Sequence, residues 1–239
     1  MPSQASIKSR YSTKNLILNA LPEEDFKRLL PDLEPVELKL GQVLCRPEEL
    51  ISHIYFPNNS IVSVVAMTPE GQCTEVGVIG REGTVGMDAL MGADSALNEN
   101  IVQHAGGASR ININAIKTEF KRSGALHDSL LLFTRLLMIQ ISQTALCNRL
   151  HSLEERLTRW LLLCRDRSGN DELQLTQEFL AGMLGANRGT VTMSAIALQS
   201  AGFIKYRRGH ITITDHEGLK DFSCDCYETV KREYDRFQK

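Results

Sequence analysis

Arg188, Gly189, Thr190 and Thr192 follow directly on Asn187. An asparagine in that place can cap a helix, leaving one guanidinium and two hydroxyls on the exposed first turns. A guanidinium fork suits guanine O6 and N7 or a phosphate, and a threonine hydroxyl can meet either. A second basic group, Arg207, Arg208 and His210, follows further along, where cations at a turn would suit phosphate contact.

The elements needed to hold these groups can be read from LTQEFLAGMLGANRGTVTMSAIALQSAGFIKY, residues 175–206. Thr176 can cap a first helix, with Gln177 beside it and Glu178 adding negative charge to the first turn. Leu180, Met183 and Leu184 share one face of that helix, and Gly185 can end it in a left-handed conformation. The second helix, about 187–199, should turn Val191, Ala195, Ile196 and Leu198 inward. This is the layout of a helix-turn-helix, whose second helix presents its first turns to the major groove. Ile204 to Ile213 then reads as a strand, a basic turn at Arg208-Gly209, and a second strand, which together form a wing. The candidate nucleic-acid surface is therefore Thr176, Gln177, Asn187, Arg188, Gly189, Thr190, Thr192, Arg207, Arg208 and His210. Two packed helices with a solvated basic turn would be the structural alternative.

The chain has 239 residues, 42% hydrophobic and 23% charged, with a net charge of −2. That size suits two domains, each with its own core. Its mild acidity excludes a general basic coat but not a local footprint. Between Leu175 and Ile213, Glu178 stands against Arg188, Lys205, Arg207 and Arg208. The sequence shows no secretory signal, and the apolar run at Leu130 is soon interrupted by Arg135, so no membrane segment is expected. Six scattered cysteines point to a cytoplasmic protein with reduced thiols, not to a disulfide scaffold.

Met1 to Lys14 is polar. Asn15 to Leu30 reads as short helices broken at Pro22. From Pro31 to about Ile116, short strand-like runs alternate with turn residues, as in a β-roll. A long helical stretch follows from about 116 to 150, with a break at Ser123-Gly124. Leu130, Phe133, Leu137, Ile141 and Ala145 form its expected inward stripe, while Leu132, Leu136, Ile139 and Leu146 fall on other faces. A second copy of the chain would cover those faces, so a homodimer is expected. A joint at His151-Ser152 divides the chain into 1–150 and 151–239, and Asp215 to Lys239 reads as a charged tail helix.

This order resembles the Crp/Fnr family of bacterial transcription regulators over nearly the whole chain. The most specific segments are Leu153-Glu154-Glu155-Arg156-Leu157, Leu175 to Leu198, and Gly202-Phe203-Ile204. The resemblance implies an α+β fold: an N-terminal β-roll of the cyclic-nucleotide-binding-like type (a jelly roll), a long dimerisation helix and a C-terminal winged helix-turn-helix. It also implies a homodimer that binds double-stranded DNA and is controlled through its sensor domain, with RNA polymerase a further candidate partner. Arg188 would read a base and Thr190 would touch phosphate. Gly189 and Met193 stand where the best-known members carry glutamate and arginine, so the operator should differ from theirs.

The family position of an effector pocket falls on Gly83, Thr84, Val85, Gly86, Met87 and Asp88. No arginine lies between Glu82 and Gln103, and Asp88, Asp94 and Glu99 would repel a cyclic phosphate. The cysteine spacing does not suit an iron–sulfur cluster, and His53, His104 and His127 are haem-ligand candidates by residue type only. No cofactor and no metal are therefore expected, although Cys224-Asp225-Cys226 is a close thiol pair able in principle to bind metal or oxidise. An enzyme is disfavoured, because His151-x-x-Glu154-Glu155 lacks the second histidine of a zinc hydrolase and no nucleophile elbow or phosphate loop appears. The remaining alternative is a winged helix that binds a protein partner.

Overall fold

A computed structural model describes residues 13–207 and 209–237. The polar start expected over Met1 to Lys14 lies outside them up to residue 12, as does Arg208. Two short helices open the described chain, α1 (Leu16–Ala20) and α2 (Glu23–Leu29), separated at Pro22 as expected. Asn15 caps α1, and its amide also donates to the Pro57 and Gly83 carbonyls, anchoring the chain to the roll.

Seven strands follow: β1 (Leu33–Leu38), β2 (Val43–Cys45), β3 (His53–Pro57), β4 (Ile61–Met67), β5 (Cys73–Ile79), β6 (Glu99–His104) and β7 (Gly106–Asn112). They make two antiparallel sheets, ordered β1-β7-β3 and β2-β6-β4-β5. This is the expected roll. Side chains of a strand alternate between faces, and β4 has something to bury on both. Val62 and Val64 join the roll core with Ile54, Phe56 and Ile111, whereas Ile61 and Val65 join the core of the carboxy-terminal domain. The two cores thus share packing through one strand.

Next come α3 (Ile113–Phe120) and α4 (Ala125–Leu150), with the expected break between them, where Ser123 takes a φ of 55°. The inward stripe of α4 differs from expectation. Leu126, Leu130, Phe133, Leu136, Gln140, Thr144 and Cys147 are buried, and Ala145 is exposed. The expected stripe drifted because polar Gln140 and Thr144 hold inward positions through hydrogen bonds, Gln140 Nε2 to the Val78 carbonyl and Thr144 Oγ1 to the Gln140 carbonyl. Leu131, Leu132, Met138, Leu146 and Leu150 remain exposed. By length and composition α4 is apolar enough to cross a membrane, contrary to the reading of the sequence. One side of it nevertheless packs on the roll and on the last helix, and Arg135 Nη1 pairs with Glu233 at 2.9 Å.

The carboxy-terminal domain contains α5 (Leu153–Ser168), β8 (Glu172–Gln174), α6 (Gln177–Leu184), α7 (Arg188–Ser200), β9 (Ile204–Arg207), β10 (His210–Ile213), α8 (His216–Phe222) and α9 (Asp225–Phe237). The expected single tail helix is two, because the chain turns extended at Ser223 (φ −72°, ψ 155°). Ser152 and Glu155 form a capping box at the start of α5.

The expected effector segment is packed as core. Gly83, Thr84, Val85, Gly86 and Met87 are buried and Asp88 is half-buried. A Cβ on Gly83 would lie 2.2 Å from the Phe133 ring, and the Thr84 hydroxyl donates to the Tyr55 carbonyl. Protein side chains fill this segment in the described conformation.

Polar contacts tie α5 to the roll and to α4. Arg167 on α5 is buried, donating from Nε to Glu82 Oε1 at 2.8 Å, from Nη2 to Gln140 Oε1 at 2.7 Å and from Nη1 to the Leu163 carbonyl at 3.0 Å. Its guanidinium lies 5.2 Å from the centre of the Tyr234 ring. Trp160 Nε1 donates to Glu75 Oε1 at 2.6 Å. Arg167→Ala should cost about 3–5 kcal/mol, because it strands a buried Glu82 carboxylate. Denaturant unfolding of the variant beside the wild type measures this.

Burial pushes the Glu75 carboxyl up from 4.5 to about 7, against the lowering effect of its hydrogen bonds and of Arg159 and Arg167. A carboxyl that holds its proton more tightly when folded stabilises the fold fully below pH 4.5 and loses that contribution as pH rises through 7. The wild type should therefore lose on the order of 3 kcal/mol from this group between about pH 4.5 and pH 8. Thermal melts of Glu75→Gln across that range should show a flatter profile; an identical profile would exclude Glu75 as the titrating group.

Candidate nucleic-acid interface

Of the groups singled out in the sequence, Thr176, Gln177 and Arg188 come together around a groove between the helix pair and the wing, whereas Arg207 and His210 line a second cleft on the wing. Thr176 caps α6 through the Phe179 amide at 3.2 Å, and Gly185 ends that helix with a φ of 56°. Asn187 caps α7 through the Gly189 amide at 2.8 Å. Thr176, Gln177, Glu178, Arg188, Tyr206 and Gly209 line a cleft of about 440 Å³. Arg188 projects from its lip, largely exposed, with Glu178 3.7 Å away. A pair so open to solvent contributes little and leaves the guanidinium available.

Val191, Ala195 and Leu198 turn inward, as expected. Ile196 does not; it is half exposed. Ser194 takes the inward position instead and donates to Glu154 Oε1 at 2.7 Å, pinning α7 against α5. Gly189, Met193 and Ile196 therefore share an exposed face at i, i+4 and i+7 spacing. Thr190 is exposed, while the Thr192 hydroxyl donates to the Arg188 carbonyl at 2.8 Å and stays beside the same turn.

The wing is a three-stranded sheet ordered β8-β10-β9. Its third strand, β8, was not evident in the sequence. Gly209 has a φ of 81°, which suits the tight turn. Gln199 Oε1 accepts from the Tyr206 amide at 2.8 Å, and the Tyr206 hydroxyl donates to the Leu175 carbonyl, so the wing is fixed to both helices. These two positioning side chains carry no signal of that role in the sequence. Lys205, Arg207, His210 and Thr212 line a cleft of about 410 Å³ on the wing. Lys205 thus joins the expected cations.

The helix pair also meets the roll. Thr74 Oγ1 donates to the Met183 carbonyl at 3.4 Å, and the β4–β5 hairpin faces Gly182, Ala186 and Arg188 across a cleft of about 750 Å³. The carboxylates that could suggest hydrolysis have other uses. Glu155 completes the α5 cap, and Glu154 accepts from Ser194.

Residues 155–222 match the family model of the Crp-like helix-turn-helix domain. The chain has the Crp/Fnr fold. A regulator from Eubacterium rectale assigned to the Crp/Fnr family superposes with a TM-score of 0.68 at 18% identity, over 86% of this chain and 96% of that one. The c-di-GMP-responsive regulator CLP from Xanthomonas campestris gives 0.66 at 15% identity, over 80% and 99%. A Crp/Fnr-family regulator from Thermus thermophilus gives 0.63 at 21% identity, over 80% and 98%. No curated protein matches. The matched segment contains the whole cleft, both capped helices and the wing.

Proposed function

We propose that the chain is a homodimeric, sequence-specific transcription regulator acting on double-stranded DNA in the cytoplasm. The observation that carries this reading is the exposed Arg188 at the capped start of α7, set between the free α6 surface and the basic wing. Arg188 reads guanine, the Gly189–Met193–Ile196 face meets thymine methyl groups, and Thr190 with Thr176 and Gln177 meets the backbone. Lys205, Arg207 and His210 hold flanking phosphate, a role the sequence suggests for Arg208 as well.

The homodimer reading rests on α4. Leu131, Arg135, Met138, Ser142, Ala145 and Arg149 are exposed at alternating spacings of four and three, with Leu132, Leu146 and Leu150 alongside. The apolar members, Leu131, Met138 and Ala145, recur every seven residues, as one position of a helix seam does. Paired α4 helices would place two copies of α7 on successive turns of the major groove.

Selection from random duplex DNA by the purified protein should enrich an inverted repeat with half-sites one helical turn apart; failure to enrich any sequence would favour a protein partner for the wing. Arg188→Ala should cost roughly 1–3 kcal/mol and relax preference at one base pair of each half-site, whereas Arg207→Ala should weaken all sequences alike and lower the salt dependence. Binding titrations on site variants separate the two. Sedimentation should give a dimer, and Met138→Glu should shift it toward monomer; a wild-type monomer would defeat the seam.

A further inference from the structure

Away from the DNA surface, four potential metal ligands converge at the joint between the domains. Cys147 and His151 lie one turn apart at the end of α4, while Cys224 and Cys226 flank the start of α9. All four ligand atoms lie within 4.8 Å of one another. Cys147 Sγ is 3.6 Å from Cys224 Sγ, and Cys226 Sγ is 3.7 Å from His151 Nδ1. Zinc–sulfur bonds of about 2.3 Å and a zinc–nitrogen bond of about 2.0–2.1 Å, arranged as a tetrahedron, put neighbouring ligand atoms about 3.5–3.8 Å apart. The Cys147–Cys224 and Cys226–His151 separations lie in that range, and binding need only draw the remaining pairs in from at most 4.8 Å.

Packing alone does not account for the group. The three cysteines are buried as a cluster of their own, apart from both apolar cores. A disulfide between Cys147 and Cys224 would use two of the sulfurs and leave Cys226 and His151 without a role. The surroundings also suit a charged centre. Three thiolates and a neutral imidazole around a divalent ion carry one net negative charge, and buried Arg159 lies close enough to act electrostatically on Cys147 and Cys226. Arg159 Nη2 donates to Thr144 one turn before Cys147, while its Nε is buried with no hydrogen-bond partner among the described residues.

We propose that Cys147, His151, Cys224 and Cys226 form a tetrahedral site for a thiophilic divalent cation, with zinc the expected ion. Sulfur-rich ligation with a single imidazole selects zinc over harder cations, and four protein ligands make the site structural. Binding displaces the thiol protons and ties the start of α9 to the end of α4. The bound ion thereby braces the short link into α5, from which the helix-turn-helix is held.

Metal analysis of the full-length protein, isolated with a thiol reductant and without chelator, should find zinc in stoichiometric amount. Cys226→Ser and His151→Gln should each lose most of it, whereas Cys73→Ser should keep it. Cobalt(II) added to chelator-stripped wild type should give the strong visible bands of tetrahedral thiolate coordination, which zinc then abolishes. Chelation should lower the melting temperature of the wild type and leave that of Cys226→Ser unchanged. A natively folded wild type, checked by circular dichroism, that holds no zinc and gives no cobalt spectrum overturns the site. So does zinc retained by both ligand variants, or a Cys147–Cys224 disulfide recovered from thiol-blocked native protein. None of these measurements involves DNA, so the metal site is decided separately from the regulatory reading.

Discussion

A guanidinium removed from water must have its donors answered, and Arg167 has them answered from several parts of the fold. Glu82 comes from the roll, Gln140 from α4, the Leu163 carbonyl from its own helix and the Tyr234 ring from α9. Leaving such a charge unpaired would cost more than most single contacts return, so these elements have little freedom to move independently. Gly80 makes the approach feasible, since a Cβ there would lie 2.8 Å from the Arg167 Cβ. The roll turn, the long helix and the helix-turn-helix domain are therefore positioned around one cation.

The apolar packing follows the same plan. Because β4 sends alternate side chains into two cores, any shift of that strand is felt both inside the roll and beneath α5. Ser63, on the second face, donates to Gln103, which in turn donates to Cys164 on α5. The first helix of the helix-turn-helix lies against β5. The presentation of α7 is thus set by the roll as well as by its own caps.

Local chemistry made much of this legible in the sequence. Thr176, Gly185, Asn187 and Gly209 each do the one thing their residue type does best, so the helix pair and the wing could be read without tertiary information. The seven roll strands were equally plain, because turn residues separate them. Features decided by distant partners were not legible. Gln140 and Thr144 look like outer positions of α4 until their hydrogen bonds are known, and Ser194 displaces Ile196 from the inner face because Glu154 waits for it. Strand β8 has one buried residue, Leu173, too little for a pattern. The break before α9 carries no glycine or proline. Cys147 and Cys224 are 77 positions apart, so the gathering of thiols about His151 is a product of folding alone.

The contact between Gly83 and Phe133 has a thermodynamic consequence. Phe133 belongs to α4, so a group that displaced that ring from Gly83 would press on the rod that carries it. Work done on the rod is then shared with whatever the other end of the molecule holds. Such coupling is reciprocal: the factor by which an occupant of the roll changed affinity for DNA would be the factor by which DNA changed affinity for the occupant.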